Sequence, residues 1–184
     1  MTDLAVVLYG PPAAGKDTVT RALAEIDARY RLFPRLKCGT GRTGGYRMIT
    51  RAELGEIRGR PGEVIWENTR YSAVYVVDRS QVTRMLAAGQ VPVLHLGQPE
   101  GVRAVVGSLP DVAVLVVGLE CPRDVALERA AARGTGDLAE RAAAYDATPP
   151  LHFADLTVDT STTVPQDAAA LIHQRTEASA PRRC

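Results

Sequence analysis

The chain has 184 residues, 46% of them hydrophobic, and a formal net charge of +1, which is enough sequence for one domain with a buried core. This charge provides no basic field for nucleic acid, and the apolar run in the N-terminal MTDLAVVLYG is too short to span a bilayer. The three cysteines, Cys38, Cys121 and Cys184, form no paired motif, as is typical of a reducing compartment. We therefore expect a cytoplasmic monomer or homodimer that binds neither nucleic acid nor membranes.

Apolar runs alternate with helical patterns along the whole chain. Residues 4–9 (LAVVLY) predict a buried strand, and a glycine-rich loop and an amphipathic helix follow directly. Further strands are predicted at 91–96, 112–117 and 154–160, and further helices at 78–88, 99–108, 123–133 and 165–174. This alternation predicts a three-layer α/β domain on a mainly parallel sheet, in which ligands bind beyond the carboxyl ends of the strands.

One segment, from about residue 38 to residue 77, interrupts that alternation. It is rich in Gly, Arg and Tyr and predicts short strands and turns around one helix at 51–58. We interpret it as an insert that binds a substrate, within a domain of residues 1–176. Residues 177–184 (EASAPRRC) are small and polar, and we expect a flexible tail there.

The segment YGPPAAGKDT, from Tyr9 to Thr18, has the spacing G-x-x-x-x-G-K between a predicted strand and a predicted helix. In this context, backbone N–H groups and the helix N-terminus bind a polyphosphate, and the lysine reaches its outer oxygens. Of the 22 Lys and Arg residues, only Lys16 and Lys37 are lysines. The residues expected to bind the ATP phosphates are Gly10, Ala13, Ala14, Gly15, Lys16, Asp17 and Thr18.

Asp17 stands where this loop commonly has a Ser or Thr that binds Mg²⁺ through its hydroxyl. A carboxylate is also a hard oxygen ligand, so Asp17 is a candidate ligand of Mg²⁺, directly or through water, with Thr18 beside it. The alternative is an acidic residue that interacts only with the dipole of the helix N-terminus.

The stretch ERAAARGTGDLAER contains Arg129, Arg133 and Arg141, within a predicted lid at about 129–141. Arginines on a mobile, glycine-containing flap can close over a phosphoryl group in transfer and neutralise its oxygens. The alternative is a solvated helix in which Glu128 and Glu140 pair with these arginines. The sequence has no NKxD or DxxG motif, so a GTPase is not expected.

Several stretches resemble the guanylate kinases and their relatives among the P-loop nucleoside-monophosphate kinases. KCGTGRTGGYRMITRAEL is similar to the stretch after their second strand, and GEVIWENTRYSAVY is similar to their G-E-F-x-E-W…Y-Y-G segment. RAAARGT is similar to their R-L-x-x-R-G-T lid, and GQVPVLHLG to their G-K-x-x-x-L-D-I-D strand. The resemblance covers most of the chain and implies ATP- and Mg²⁺-dependent transfer of a phosphoryl group to a small acceptor.

The resemblance implies that Arg42, Tyr46 and Tyr75 bind the phosphate of the acceptor, with Arg47 in place of a second arginine. Glu67, Asn68 and Arg70, in the polar stretch WENTRY, are further candidates for acceptor binding, with turn-forming roles as the alternative. Lys16, Arg129, Arg133 and Arg141 are the expected catalytic residues. The chain departs from the family pattern where its two strand aspartates are replaced by His95 and Gly97.

A nucleoside monophosphate such as GMP is the expected acceptor. The GKD[ST] loop also resembles ribose bisphosphate kinases, so a ribose phosphate, a nucleoside or an antibiotic precursor stays an alternative. A binding module of the guanylate kinase type that no longer catalyses is another. His95 is either a residue of the site or a core histidine, and the sequence does not decide between the two.

Overall fold

The computed structural model describes residues 3–70, 72–132, 134 and 138–179. The strands are β1 (Asp3–Tyr9), β2 (Tyr30–Leu32), β3 (Leu36–Cys38), β4 (Arg47–Met48), β5 (Val64–Arg70), β6 (Ala73–Asp78), β7 (Val91–Leu96), β8 (Val112–Glu120) and β9 (Leu156–Asp159). The helices are α1 (Lys16–Ile26), α2 (Arg51–Arg58), α3 (Arg79–Ala87), α4 (Pro99–Ser108), α5 (Arg123–Ala131), α6 (Leu138–Asp146) and α7 (Pro165–Ser179).

The main sheet is parallel, with the strand order β2-β7-β1-β8-β9. Side chains of the central strand β1 alternate between two cores, as the period of a strand requires. Val6 and Leu8 pack with α1 and α7 on one face, whereas Val7 and Tyr9 pack with α3 and α4 on the other. Helices therefore cover both faces of the sheet, and the predicted three-layer α/β fold is confirmed.

A second sheet, in the order β4-β3-β6-β5, forms the insert. One of its faces packs against α2 through a small core of Leu36, Leu54 and Val76. Helix α2 begins with a capping box, in which Thr50 and Glu53 each accept a hydrogen bond from the backbone N–H of the other. The other face of this sheet looks toward the carboxyl ends of β1 and β7.

The predicted elements agree with the structure in kind, and they differ at some boundaries. Strand β2 and helix α6 were not predicted, and α7 continues through Ser179, beyond the predicted end of the domain at residue 176. Within the described ranges, no helix has the length and apolar character needed to cross a membrane.

Candidate functional site

The glycine-rich loop connects the carboxyl end of β1 to the N-terminus of α1. A Cβ atom at Gly10 would lie 2.5 Å from the carbonyl oxygen of Leu119, so the loop passes too close to β8 for any side chain there. Gly15 has φ 89° at the N-cap of α1, and Ala13 has φ 62°, which is uncommon for a residue with a side chain. Local strain of this kind is concentrated at functional sites.

Lys16 is the first residue of α1, and its ammonium group bends back over the loop. Nζ donates hydrogen bonds to the carbonyl oxygens of Gly10 at 2.6 Å and Pro11 at 2.7 Å. These bonds hold the ammonium group above the loop, where an anionic ligand would meet it.

A cleft of about 180 Å³ lies between the loop, the carboxyl end of β7 and the second sheet. We call it the central cleft. The cationic side chains that line it are Lys16, Arg35, Arg42, Arg70 and Arg141. Among its described lining residues, Asp17 is the sole carboxylate, so the cleft has a strongly positive potential and favours an anionic ligand.

Cross-strand register in the second sheet brings polar residues to the wall of this cleft. Tyr75 on β6 pairs with Lys37 on β3 and with Asn68 on β5, which places the three side chains in one row. Arg35, two residues before Lys37, lies on the same face and donates to the Asn68 side-chain oxygen at 3.4 Å. The Arg35 guanidinium carbon lies 5.0 Å from the centre of the Tyr75 ring and 6.0 Å from that of Tyr46.

Arg35 is a cation in an unusual environment. Burial lowers the pKa of its guanidinium, and its contacts with Tyr46 and Tyr75 oppose this shift without cancelling it. Among the residues that the structure describes, no carboxylate lies within ion-pair distance of Arg35. A partly desolvated cation of this kind is stabilised when an anion binds beside it.

Asp17 and His95 meet at the floor of the central cleft. Nδ1 of His95 lies 3.5 Å from Oδ1 of Asp17, and Nη1 of Arg42 lies 3.3 Å from Oδ2. On its other side, Nε2 of His95 lies 2.7 Å from the hydroxyl of Thr20. Burial, and next the positive charge of Lys16, hold the pKa of His95 far below its usual range, so its imidazole is neutral near pH 7.

A second cavity, of about 490 Å³, lies on the other side of the loop, between α5 and the segment after β9. We call it the flanking cavity. Thr18 and Arg129 line it, together with residues 160–165. Arg129 donates hydrogen bonds to the carbonyl oxygen of Thr160 at 2.8 Å and to its hydroxyl at 3.3 Å, which fixes the guanidinium at the cavity wall.

Most of the predicted site residues line one of these two spaces. Lys16, Asp17, Arg42, Tyr46, Arg70, Tyr75 and Arg141 line the central cleft. Thr18 and Arg129 line the flanking cavity with Ala13 and Gly15, which border both spaces. Arg133 lies outside the described residues.

Two predicted acceptor-binding residues, Arg47 and Glu67, are held elsewhere. Arg47 forms an ion pair with the buried Asp78 and donates to the carbonyl oxygen of Pro34. Glu67 lies on the face of the second sheet that packs against α2, where it forms an ion pair with Arg58. Neither side chain lines the central cleft.

Arg35 and Lys37 were not predicted to belong to the site, whereas Asn68 was a candidate for acceptor binding and does line the central cleft. The alternation of Arg35 and Lys37 on either side of Leu36 is a signal for one strand face, but it does not tell which face meets the cleft. No group of three or more His, Cys, Asp or Glu side chains that could hold a metal ion occurs in the described part of the chain. Of these four residue types, the described lining of the central cleft contains Asp17 and His95.

A nucleotide-binding loop at the end of the central strand, a parallel sheet with helices on both faces, and a cationic cleft beside the loop together define a P-loop kinase. The model of one protein family, described as chloramphenicol phosphotransferase-like protein, matches residues 71–177. The chain therefore belongs to the chloramphenicol phosphotransferase-like family and is a P-loop phosphotransferase, as predicted. Membership of this family argues against the alternative of a non-catalytic module.

Solved structures share this fold. The guanylate kinase from Anaplasma phagocytophilum is 17% identical, with a TM-score of 0.65 over 100% of this chain and 89% of that chain. A gluconokinase from Sinorhizobium meliloti 1021 is 15% identical, with a TM-score of 0.54 over 97% of this chain and 98% of that chain. At such low identities the likeness shows the fold alone, and the guanylate-kinase-like fold predicted from the sequence is confirmed. No curated protein matches the chain in sequence.

Proposed function

We propose that the protein transfers the γ-phosphoryl group of ATP to a small acceptor that already carries a phosphate group, with a nucleoside monophosphate such as GMP as the first candidate. The observation that carries this proposal is Arg35, a partly buried cation in the central cleft without a carboxylate partner among the described residues. Desolvating a guanidinium costs free energy, and a phosphate bound beside it offsets that cost.

In this proposal the acceptor phosphate binds between Arg35, Arg42 and Arg70. A guanidinium binds two phosphate oxygens at once, so a few arginines both neutralise the phosphate and fix its orientation. Tyr46 and Tyr75 lie at the same wall with their rings 5.3 Å apart, and we infer that their hydroxyls donate to the remaining oxygens. Arg47 and Glu67 have no part in it, since their ion pairs hold them outside the cleft.

The central cleft and the flanking cavity, on either side of the glycine-rich loop, are both available to the donor nucleotide. We infer that the base and ribose of ATP bind in the flanking cavity, beside Arg129, and that Thr18 contacts the phosphates from that side. Lys16 and Arg141 line the central cleft, where they would neutralise the phosphoryl group in transfer, with Arg133 of the lid. Catalysis would then rest on positioning and on electrostatic stabilisation.

The residues at the floor of the cleft fit a divalent cation. Asp17 directly follows the phosphate-binding lysine, and its side chain, which ends in a carboxylate, is 33% exposed. With few protein ligands available, the other positions would be filled by phosphate oxygens and water, as Mg²⁺ prefers in kinases. When bound, the ion neutralises charge on the phosphates of the donor.

An acceptor without a phosphate group is the second candidate, and the family membership favours it. The description of the family refers to chloramphenicol, a neutral compound, so a hydroxyl of an antibiotic or a nucleoside could be the nucleophile. A ribose phosphate is the remaining alternative, because it would satisfy the arginines of the cleft without a base. The charge of the cleft argues for the phosphorylated acceptors.

An acceptor panel distinguishes these candidates. ADP release is measured with GMP, AMP, ribose phosphates, unphosphorylated nucleosides and chloramphenicol, and ³¹P NMR identifies the product. We expect turnover with a phosphorylated acceptor and none with the unphosphorylated nucleosides. If chloramphenicol were the one acceptor of this panel that supports ADP release, the proposal would be contradicted. The variant Lys16→Ala serves as the inactive control for contaminating kinases.

A further inference from the structure

The hydrogen bonds of Thr20 favour the tautomer of His95 that carries its proton on Nε2. Thr20 has one hydroxyl hydrogen, and it donates this hydrogen to the carbonyl oxygen of Lys16 at 2.8 Å. The same hydroxyl lies 2.7 Å from Nε2 of His95, so with the proton on Nε2 the ring donates to Thr20 while Thr20 donates to Lys16, and every hydrogen of this chain has an acceptor. Nδ1 of the neutral ring consequently keeps its lone pair.

That lone pair faces a carboxylate. Nδ1 of His95 and Oδ1 of Asp17 are 3.5 Å apart, and both side chains line the central cleft beside Lys16. A carboxylate oxygen and an imidazole lone pair can both coordinate a cation that lies between them. The two atoms are also close enough to bind one ion, because ligand atoms about 2.1 Å from an ion lie at most about 4.2 Å apart.

We propose that His95 and Asp17 together form the protein's part of a divalent-cation site, and that the imidazole makes this site prefer a transition-metal ion such as Mn²⁺ to Mg²⁺. The inference rests on the proposed function, in which the ion accompanies ATP. Mg²⁺ is a hard ion that favours oxygen ligands, whereas imidazole nitrogen is a ligand typical of first-row transition metals.

The surroundings of the two side chains agree with this assignment. Arg42 contacts Oδ2 of Asp17 and leaves Oδ1 directed at His95. The contact between Thr20 and Nε2 fixes the orientation of the imidazole ring, as hydrogen bonds to the second ring nitrogen do at metal sites. The two ligands come from α1 and from β7, elements that the main sheet holds together, so the pair is preorganised.

Pulsed electron paramagnetic resonance tests the proposal on the intact protein. Mn²⁺ is added with a non-hydrolysable ATP analogue, and the electron spin-echo modulation is compared for unlabelled protein and for protein labelled with ¹⁵N-histidine. We expect a coupling to nitrogen that changes with the isotope. It should disappear in His95→Asn and persist in His152→Asn, which alters an exposed histidine.

The metal dependence of turnover gives a second measurement. The ratio of kcat/KM with Mn²⁺ to kcat/KM with Mg²⁺ should fall at least about tenfold in His95→Asp, which replaces the nitrogen ligand by oxygen. If Mn²⁺ binds with the analogue and wild-type protein shows no histidine nitrogen coupling, this inference is overturned and the proposed function stands. If neither the nucleotide analogue nor Mn²⁺ binds, both are overturned.

Discussion

The ammonium group of Lys37 donates a hydrogen bond to the backbone carbonyl oxygen of Arg42 at 2.8 Å. Lys37 is only 2% exposed, and its Nζ lies 5.5 Å from the ring centres of both Tyr46 and Tyr75. Among the described residues, no carboxylate pairs with it. Lys37 thus ties strand β3 to the loop that carries Arg42 and Tyr46.

This contact makes Lys37 a positioning residue for the acceptor. In Lys37→Met the hydrogen bond to the loop is lost, and we expect the KM for the acceptor to rise by about tenfold or more, because hydrogen bonds to charged groups contribute about 1.5–3 kcal/mol. The KM for ATP should stay unchanged, since in the proposed function the base and ribose of the donor bind on the other side of the glycine-rich loop. Steady-state kinetics with each substrate varied in turn measures the two constants. An equal rise in both would contradict the role.

Lys37 also makes the stability depend on alkaline pH. Burial, and next the charge of Arg42, lower the pKa of Lys37 in the folded protein, whereas the unfolded chain has the ordinary value of about 10.4. Between these two pKa values the unfolded state binds more protons, so the free energy of unfolding rises with pH in that window. The penalty of burying the charge is complete below the folded pKa and is lost as pH increases through it.

We therefore expect wild-type protein to gain stability relative to Lys37→Met as the pH approaches 10. Urea unfolding of both proteins across this range measures the difference. The raised pKa of Tyr9, Tyr30 and Tyr145 acts in the opposite direction at higher pH, but it is common to both proteins and cancels. A difference that does not change with pH would mean that the ammonium group is solvated.

Arg35 tests whether the cleft binds the anionic group of the acceptor. Arg35→Met should raise the KM for a phosphorylated acceptor about a hundredfold, since a hydrogen-bonded charge pair is lost, and Arg35→Lys should recover only part of it. The matched control is Arg58→Gln in α2, the helix that packs against the opposite face of the same sheet, where Arg58 pairs with Glu67. Kinetic constants of that control should equal those of the wild type. Unchanged acceptor binding in Arg35→Met would remove the phosphate site from this wall.

The sequence predicted those parts of the fold that local patterns determine. The loop, the long apolar strands and the helix at 51–58 follow from spacing and periodicity over a few neighbouring residues. Strand β2 was missed because it has three residues, Tyr30 to Leu32, and it is defined by its pairing with β7. Such pairing depends on contacts far apart in the chain, which a single-sequence pattern does not contain.

The same limit applies to the candidate site. Lys16 and Asp17 were predicted from one local motif, whereas Asn68 was one of three polar candidates in WENTRY, and its place in the cleft depends on its register with Tyr75. A bulge between Val64 and Trp66 shifts the alternation of β5, and side chains after it change face accordingly. Glu67 consequently turns toward α2. The sequence shows which residues of this strand are polar, but it does not show the bulge that determines which face of the sheet each of them occupies.

Two glycines of α4 give a matched test of packing around the insert. A Cβ atom at Gly101 would lie 2.7 Å from Nε1 of Trp66 and 3.0 Å from two of its carbons, whereas a Cβ at Gly107 meets nothing within 4 Å. We expect Gly101→Ala to destabilise the protein by about 1–3 kcal/mol through overpacking. Gly107→Ala should stabilise it by up to about 1 kcal/mol, because alanine favours the helix. Urea unfolding compares the two; equal stabilities would mean that Trp66 does not pack against α4.

Lys16 tests the assignment of the loop itself. In Lys16→Ala two hydrogen bonds to the carbonyl oxygens of Gly10 and Pro11 are lost. Each contributes on the order of 1 kcal/mol, and the oxygens can bind water instead, so the fold should persist with a modest loss of stability.

Turnover should fall by about 10²–10³-fold or more, because a charge that stabilises the transition state is removed. The rise in melting temperature that ATP causes in the wild type should shrink in parallel. Thermal unfolding with and without ATP, together with ADP release, measures both effects. A folded Lys16→Ala protein with nearly normal turnover would show that the phosphoryl group is transferred at another site.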